Sequence, residues 1–196
     1  MDIQTIIGIL NPILDLFEQL GIQYRIGGSV ASSYYGPPRA TQDVDLIASI
    51  SASQVPALMA GLDPQSYYVV EQTVLDAIAH HSSFNILDLA TMNKIDVFID
   101  KPTHQARQEQ QRAKFLQIVP GSRSLWISSA EDMILEKIVW WQMGGGISTR
   151  QWNDILGIIQ HHTPPLDTSY IATSAQSLGI LSLVQQAYID AGKIFP

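Results

Sequence analysis

The chain contains no cysteine, which excludes disulfide bonds, thiolate-bound zinc and cysteine nucleophiles together. Charge is sparse as well. Only 15% of the 196 residues are Asp, Glu, Lys or Arg, and eleven basic side chains face eighteen acidic ones, for a net charge of −7. That balance argues against a nonspecific nucleic-acid coat, whose affinity comes from cations that displace counter-ions. No apolar run reaches the roughly 20 residues needed to span a bilayer. The strongest candidate, MILEKIVWW, is interrupted by Glu136 and Lys137. The start, MDIQTIIGIL, has no basic residue ahead of its apolar run, so no secretory leader is expected. A cytoplasmic protein without membrane contact is the expectation. With 46% hydrophobic residues the chain is far from a disordered composition and long enough to bury a core without staples.

What charge there is lies unevenly. Residues 1–93 hold two basic side chains, Arg25 and Arg39, against nine acidic ones. Residues 94–123 reverse this, with six basic (Lys94, Lys101, Arg107, Arg112, Lys114, Arg123) against three acidic, and residues 124–196 return to three against six. An acidic half beside a basic segment could hold metal ions and phosphates together; a solvated helix face around Gln105–Gln111 explains the basic segment equally well.

Periodicity divides the chain. Apolar residues at helical spacing run from Ile3 to Leu20 and stop at Gly21. A short strand over Gln23–Ile26 is followed by Gly27-Gly28-Ser29 and a helix over Val30–Tyr35, which Gly36-Pro37-Pro38 breaks. Asp43–Ile50 reads as a strand, and Ser53 as the cap of a helix to about Leu62. Val69–His81 fits neither state cleanly. Phe84–Leu89 and Lys94–Ile99 read as strands of a hairpin turned by Thr91-Met92-Asn93. Thr103–Arg112 is a polar helix, and Phe115–Val119 and Leu125–Ile127 are short strands. From Ser129, whose pairing with Asp132 resembles a capping box, helices are expected to about Gln142, then over Thr149–His161, Asp167–Ser177 and Ile180–Ala191. The pattern predicts an α/β core over residues 1–127 and a helical part over 128–196.

The chemistry concentrates in YRIGGSVASSYYGPPRATQDVDLIASI, residues 24–50. Asp43 and Asp45 alternate on a predicted strand, so both carboxylates share one face about 7 Å apart at Cα while Val44 and Leu46 turn to the core. Like charges held side by side repel unless a cation compensates them. An oxygen-only donor set suits Mg²⁺ or Mn²⁺. Asp96, in KIDVFID, is also flanked by apolar residues on a predicted strand. If the two strands are neighbours, three carboxylates surround a two-metal site. Upstream, Gly27 and Gly28 let the backbone approach a ligand closely, and the helix start with the Ser29 hydroxyl suits a phosphate. A phosphate cradle facing a divalent-metal clamp serves phosphoryl or nucleotidyl transfer.

The stretch GGSVASSYYGPPRATQDVDL resembles the nucleotidyltransferase superfamily related to DNA polymerase beta. SSAEDMILEKIVWWQMGGGISTRQWNDILGII is similar to the helical segment of its AbiEii/AbiGii toxin-like branch, although Trp152-Asn153 stands where that branch commonly has a basic residue. The likeness covers most of residues 22–160. It implies a nucleotidyltransferase-type mixed α/β (α+β) sheet flanked by helices, with a helical C-terminal extension. It implies that Asp43 and Asp45 bind metal and that Asp96 completes the triad and serves as base. Gly28 and Ser29 would hold the nucleotide's phosphates, and Lys137 and Arg150, with Asp154 nearby in the motif, would contact phosphate or acceptor. A toxin–antitoxin setting, with an antitoxin-type partner, is part of the same implication.

Other residues have two readings. Arg39 and Thr41 lie between turn and strand, in place to orient a triphosphate; for Arg39 a surface carboxylate is an equal alternative. Lys94 either neutralises phosphate or, as the favoured reading, closes the hairpin. His80-His81 and His161-His162 lack metal-site spacing and suit helix C-termini. Trp140-Trp141 is expected in core or interface, Tyr34-Tyr35 on the sheet, and the last helix in core or a dimer surface.

Together these readings predict a metal-dependent enzyme that binds a nucleoside triphosphate such as ATP through Gly27, Gly28 and Ser29. It would move the NMP group to an acceptor hydroxyl of RNA, protein or a small molecule, with pyrophosphate released. Two rivals share the residues: a non-catalytic nucleotide-sensing or partner-binding module on the same fold, and a metal-dependent phosphodiesterase or nuclease.

Overall fold

A computed structural model of the chain describes residues 3–41 and 43–196. The described residues fall into two compact units, one of Met1–Val30 with Ala40–Ile127 and one of Ala31–Arg39 with Ser128–Pro196.

The first unit is built on a mixed sheet. In chain order its elements are α1 (Ile3–Gln19), β1 (Gln23–Ile26), the start of α2 (Gly28–Tyr35), β2 (Asp43–Ser49), a 3₁₀ turn (Ala52–Gln54), α3 (Val55–Gly61), β3 (Tyr67–Tyr68), α4 (Glu71–His80), β4 (Ser83–Asp88), β5 (Lys94–Ile99), α5 (His104–Arg112), β6 (Lys114–Gln117) and β7 (Ser124–Ile127). The seven strands lie in the order β3-β4-β5-β2-β1-β7-β6. β2 runs parallel to β5, and β1 parallel to β7; the other pairs are antiparallel.

Strict alternation decides which face is covered. Val44, Leu46 and Ala48 of β2 and Ile95, Val97 and Ile99 of β5 are buried with Tyr24, Ile26, Phe84 and Ile86 in one apolar cluster. The helical stripe Ile6, Leu10, Ile13, Leu14 and Phe17 of α1 joins it. Each such side chain contributes roughly 1.5–3 kcal/mol by leaving water. The opposite face carries the polar members of the same strands, so packing one side fixes what the other displays.

One buried charge ties that polar face to α5. Arg25, only 2% exposed, bonds Asp100 and Glu109 at 2.9 Å each and Gln110 at 3.3 Å. Its register opposite Ile47 puts it on the carboxylate-bearing face.

The second unit is helical: α6 (Ala130–Met143), α7 (Thr149–His161), α8 (Thr168–Leu178) and α9 (Leu181–Asp190), with the loop after α2 packed among them. Ser129, Ser148 and Asp167 cap α6, α7 and α8 through their side chains, as their residue types favour. The 36–38 loop lies directly on α7: a Cβ at Gly157 would collide with Pro37 Cδ, and one at Gly36 with the Gly157 backbone.

Several sequence expectations shift. The first cap after β2 is Ser51, because a 3₁₀ turn precedes α3. The ambiguous Val69–His81 stretch becomes α4, preceded by the two-residue β3. Tyr35 packs against His162 within the helical unit, ring centroids 5.2 Å apart. Trp140 is half exposed, and Trp141 stacks on Trp152 at 4.6 Å, so neither fills a core. His80 and His161 bond the carbonyls of Asp76 and Gly157, one turn back in their own helices, as helix-terminal residues. Among the described residues no helix is long and apolar enough to cross a membrane.

Candidate active site

The parallel register of β2 and β5 sets Asp43 opposite Lys94 and Asp45 opposite Asp96. On the other side of β5, Asn85 of β4 stands opposite Asp96. Directly paired residues share a face, with neighbouring strands about 4.8 Å apart. The three carboxylates expected to work together therefore lie on one side of the sheet, on adjacent strands. Facing carboxylates disfavour each other, and Lys94 compensates. Its Nζ lies 2.8 Å from Asp96 Oδ2. That hydrogen bond raises the Lys94 pKa above its ordinary value; partial burial opposes the rise, and attraction by Asp96, Asp43 and Asp45 adds to it.

The glycine turn closes on this face. Gly27 N–H donates to Asp45 O at 2.9 Å, which pins the turn to β2. Gly28 opens α2 with φ +56°, and a Cβ there would overlap the Asp45 carboxylate. Only glycine accepts both the left-handed backbone and that approach. One residue on, the buried Ser29 hydroxyl meets Thr41 Oγ1 at 2.6 Å, and Thr41 donates to Asp43 O at 3.0 Å or Oδ1 at 3.2 Å. Turn and strand are thus joined through side chains as well as backbone.

Among the described residues no three His, Asp or Glu side chains converge into a ready metal cluster. The donor chemistry still fits a hard cation: three carboxylates on one face, an ammonium acting as a stand-in cation against them, and a glycine that leaves room beside Asp45. Asp43, Asp45 and Asp96 are the residues that could hold Mg²⁺ or Mn²⁺.

The expected phosphate-contacting cations belong to the helical unit. Arg39 Nε and Nη2 each bond Asp154 at 2.9 Å in a fork, and Lys137 Nζ bonds Asp154 Oδ2 at 2.8 Å. Arg39 thus pairs with a carboxylate, as one of its two readings had it, but with a largely buried one and not one on the surface. Burial by itself pushes the Asp154 carboxyl up; hydrogen bonds and attraction from Arg39 and Lys137 outweigh it and hold the pKa below its ordinary value. Arg150, on the first turn of α7, is exposed. Gly27, Gly28, Ser29, Thr41, Asp43, Asp45 and Asp96 all lie in the sheet unit, and Arg39, Lys137 and Arg150 in the helical one.

Two residues of the carboxylate face went unread or under-read in the sequence. Asn85 gave no signal, because a lone exposed Asn on a strand is unremarkable. Lys94 did give one: its period-2 spacing from Asp96 put both on one face.

No protein-family model and no curated protein sequence matches the chain. Solved structures do match in fold. The antibiotic-resistance factor ANT(2'')-Ia in solution superposes with a TM-score of 0.56 at 17% identity, over 97% of this chain and 96% of that one. The crystal structure of ANT(2'')-Ia with adenylyl-2''-tobramycin gives 0.56 at 16% identity over 92% and 96%. An antigenic nucleotidyltransferase-like protein from Paracoccidioides brasiliensis gives 0.55 at 18% identity over 96% and 94%. At such identities the likeness establishes the architecture: a nucleotidyltransferase-type mixed sheet flanked by helices.

Proposed function

We propose that the protein is a metal-dependent nucleotidyltransferase that moves an NMP group from a nucleoside triphosphate to a hydroxyl of a small-molecule acceptor. The observation that carries this reading is the β2–β5 register, which sets Asp45 beside Asp96 on the face that Gly28 closes upon. The fold shared with ANT(2'')-Ia, solved with an adenylylated tobramycin, favours a small-molecule acceptor over RNA or protein. The AbiEii/AbiGii toxin-like assignment and an antitoxin-type partner rest on the resemblance of residues 128–159 alone, and a homodimer on the apolar last helix.

Asp43, Asp45 and Asp96 hold Mg²⁺ or Mn²⁺, which when bound supplies charge neutralisation for the triphosphate. The Gly27–Gly28 turn brings the backbone close to the phosphates, and Thr41 and Ser29 keep that turn in register with β2. Asp96 accepts the acceptor hydroxyl's proton. The acceptor oxygen then bonds to the α-phosphorus, and the bond from that phosphorus to the bridging oxygen breaks, releasing pyrophosphate. A role for Arg39, Lys137 and Arg150, which lie in the helical unit, toward phosphate or acceptor rests on the sequence alone. A non-catalytic nucleotide-binding module is the second reading, and the Lys94–Asp96 pair favours it, since a scaffold keeps its charges internally compensated.

The test is pyrophosphate release from each triphosphate with Mg²⁺ and a panel of hydroxyl-bearing small molecules, antibiotics included. Acceptor-dependent release that Asp45→Asn abolishes is expected. Nucleotide binding without release under every acceptor supports the scaffold; monophosphate or cleaved nucleic acid indicates the phosphodiesterase.

A further inference from the structure

Lys94 occupies an unusual place for a lysine that closes a hairpin. It begins β5, stands opposite Asp43, and reaches forward to Asp96 at 2.8 Å, with Asp45 contributing to the field at its ammonium. The Lys94 ammonium therefore lies in the field of all three carboxylates. Its side chain is 46% exposed, against 14% for that of Asp96. The carboxylate is fixed by the sheet, while the ammonium sits on a flexible four-carbon stem with solvent beside it.

We propose that Lys94 is a displaceable counter-ion: it holds the carboxylate face together while no metal is bound, leaves Asp96 when a divalent ion arrives, and turns to the incoming triphosphate. The inference rests on the nucleotidyltransferase reading and adds a positioning residue to it. The physical grounds are two. A metal ion and an ammonium cannot share Asp96 without mutual repulsion, so the lysine lowers the metal affinity of the nucleotide-free protein. A triphosphate brings the negative charge that gives the displaced ammonium a new partner. Metal and nucleotide then load together, because each removes an obstacle to the other.

The experiment is Mn²⁺ titration of the full-length, nucleotide-free protein, followed by electron paramagnetic resonance, for the wild type, Lys94→Met, Lys94→Arg and Asp45→Asn. Thermal melts are recorded with and without Mn²⁺. Lys94→Met is expected to bind Mn²⁺ about tenfold more tightly than the wild type, the effect of removing one unit charge beside the ion at a part-exposed site. Lys94→Arg should stay near the wild type. Without metal, Lys94→Met should melt lower than the wild type, and Mn²⁺ should restore it. If the wild type binds Mn²⁺ through Asp45 and Lys94→Met binds it equally or more weakly, the Lys94 inference is overturned and the enzyme reading stands. If no variant except Asp45→Asn fails to bind but Lys94→Arg gains as much as Lys94→Met, charge is not the cause, and the inference is again overturned. If neither wild type nor Lys94→Met binds Mn²⁺, both fall.

Discussion

The carboxylate patch on β2 and β5 and the largely buried aspartates of the helical unit treat charge in opposite ways. On the sheet, Asp43, Asp45 and Asp96 are displayed on a strand face, with the Lys94 ammonium in the field of all three. In the helical unit, two largely buried aspartates are paired with neighbouring side chains. Asp154 takes both Arg39 and Lys137, and Asp132 takes the hydroxyls of Ser129 and Tyr170 at 2.6 Å each. Excess charge of one sign costs stability and persists where a ligand will compensate it; balanced charge holds a structure together. The same residue type, aspartate, is thus proposed to bind on the strand face, while Asp154 and Asp132, like Asp100 beside Arg25, hold structure.

That contrast can be broken in four ways. The largest expected effect is on turnover. Asp45→Asn should lower nucleotidyl transfer by about a thousandfold, several kcal/mol of lost charge stabilisation, while its melting temperature stays level or rises because a repulsive pair is relieved. Steady-state pyrophosphate release and a thermal melt check both halves. Next comes Asp154→Asn, which leaves Arg39 and Lys137 without their shared anion. A loss on the order of 3 kcal/mol in urea unfolding is expected, as for other broken buried ion pairs. A variant as stable as the wild type would erase the distinction between the units.

Gly28→Ala probes the junction of turn and strand. The methyl group must push the Asp45 carboxylate aside, and a displacement near 1 Å at a reacting site can cost about a hundredfold in rate. Fold stability should fall by less than with Asp154→Asn. The smallest effect is in pH. The folded-state pKa of Asp154 lies below its unfolded value. Its stabilisation is therefore complete above about pH 4 and is lost as pH falls through the lowered folded value. Urea midpoints of the wild type and Asp154→Asn should differ near neutrality and converge in acid; a constant gap would contradict the assignment.

Much of the sheet unit was legible because its signals are local. Period-2 alternation put Asp43 and Asp45 on a common face, and Thr91-Met92-Asn93 marked the hairpin that brings β5 back beside β4. What the sequence could not supply was neighbours in space. The pairing of β2 with β5, which makes three separate aspartates into one face, is a tertiary fact. Arg39 and Asp154 are 115 positions apart, so their fork carries no local signature. Trp140 obeyed a helical apolar pattern and still emerged half exposed, because α6 runs past the helices that cover its earlier turns. At Val69–His81 the N-cap of α4 is Val70, which makes no side-chain capping bond, so the usual start signal was missing.

The most direct measurement is anomalous diffraction from crystals grown with Mn²⁺ and a nonhydrolysable triphosphate. Manganese peaks within ligand distance of Asp43, Asp45 and Asp96, with the phosphates against the Gly27–Gly28 turn, are the expected result. A triphosphate bound elsewhere, or a carboxylate face free of manganese at saturating concentration, would contradict the assignment of this face as a nucleotide-transfer site.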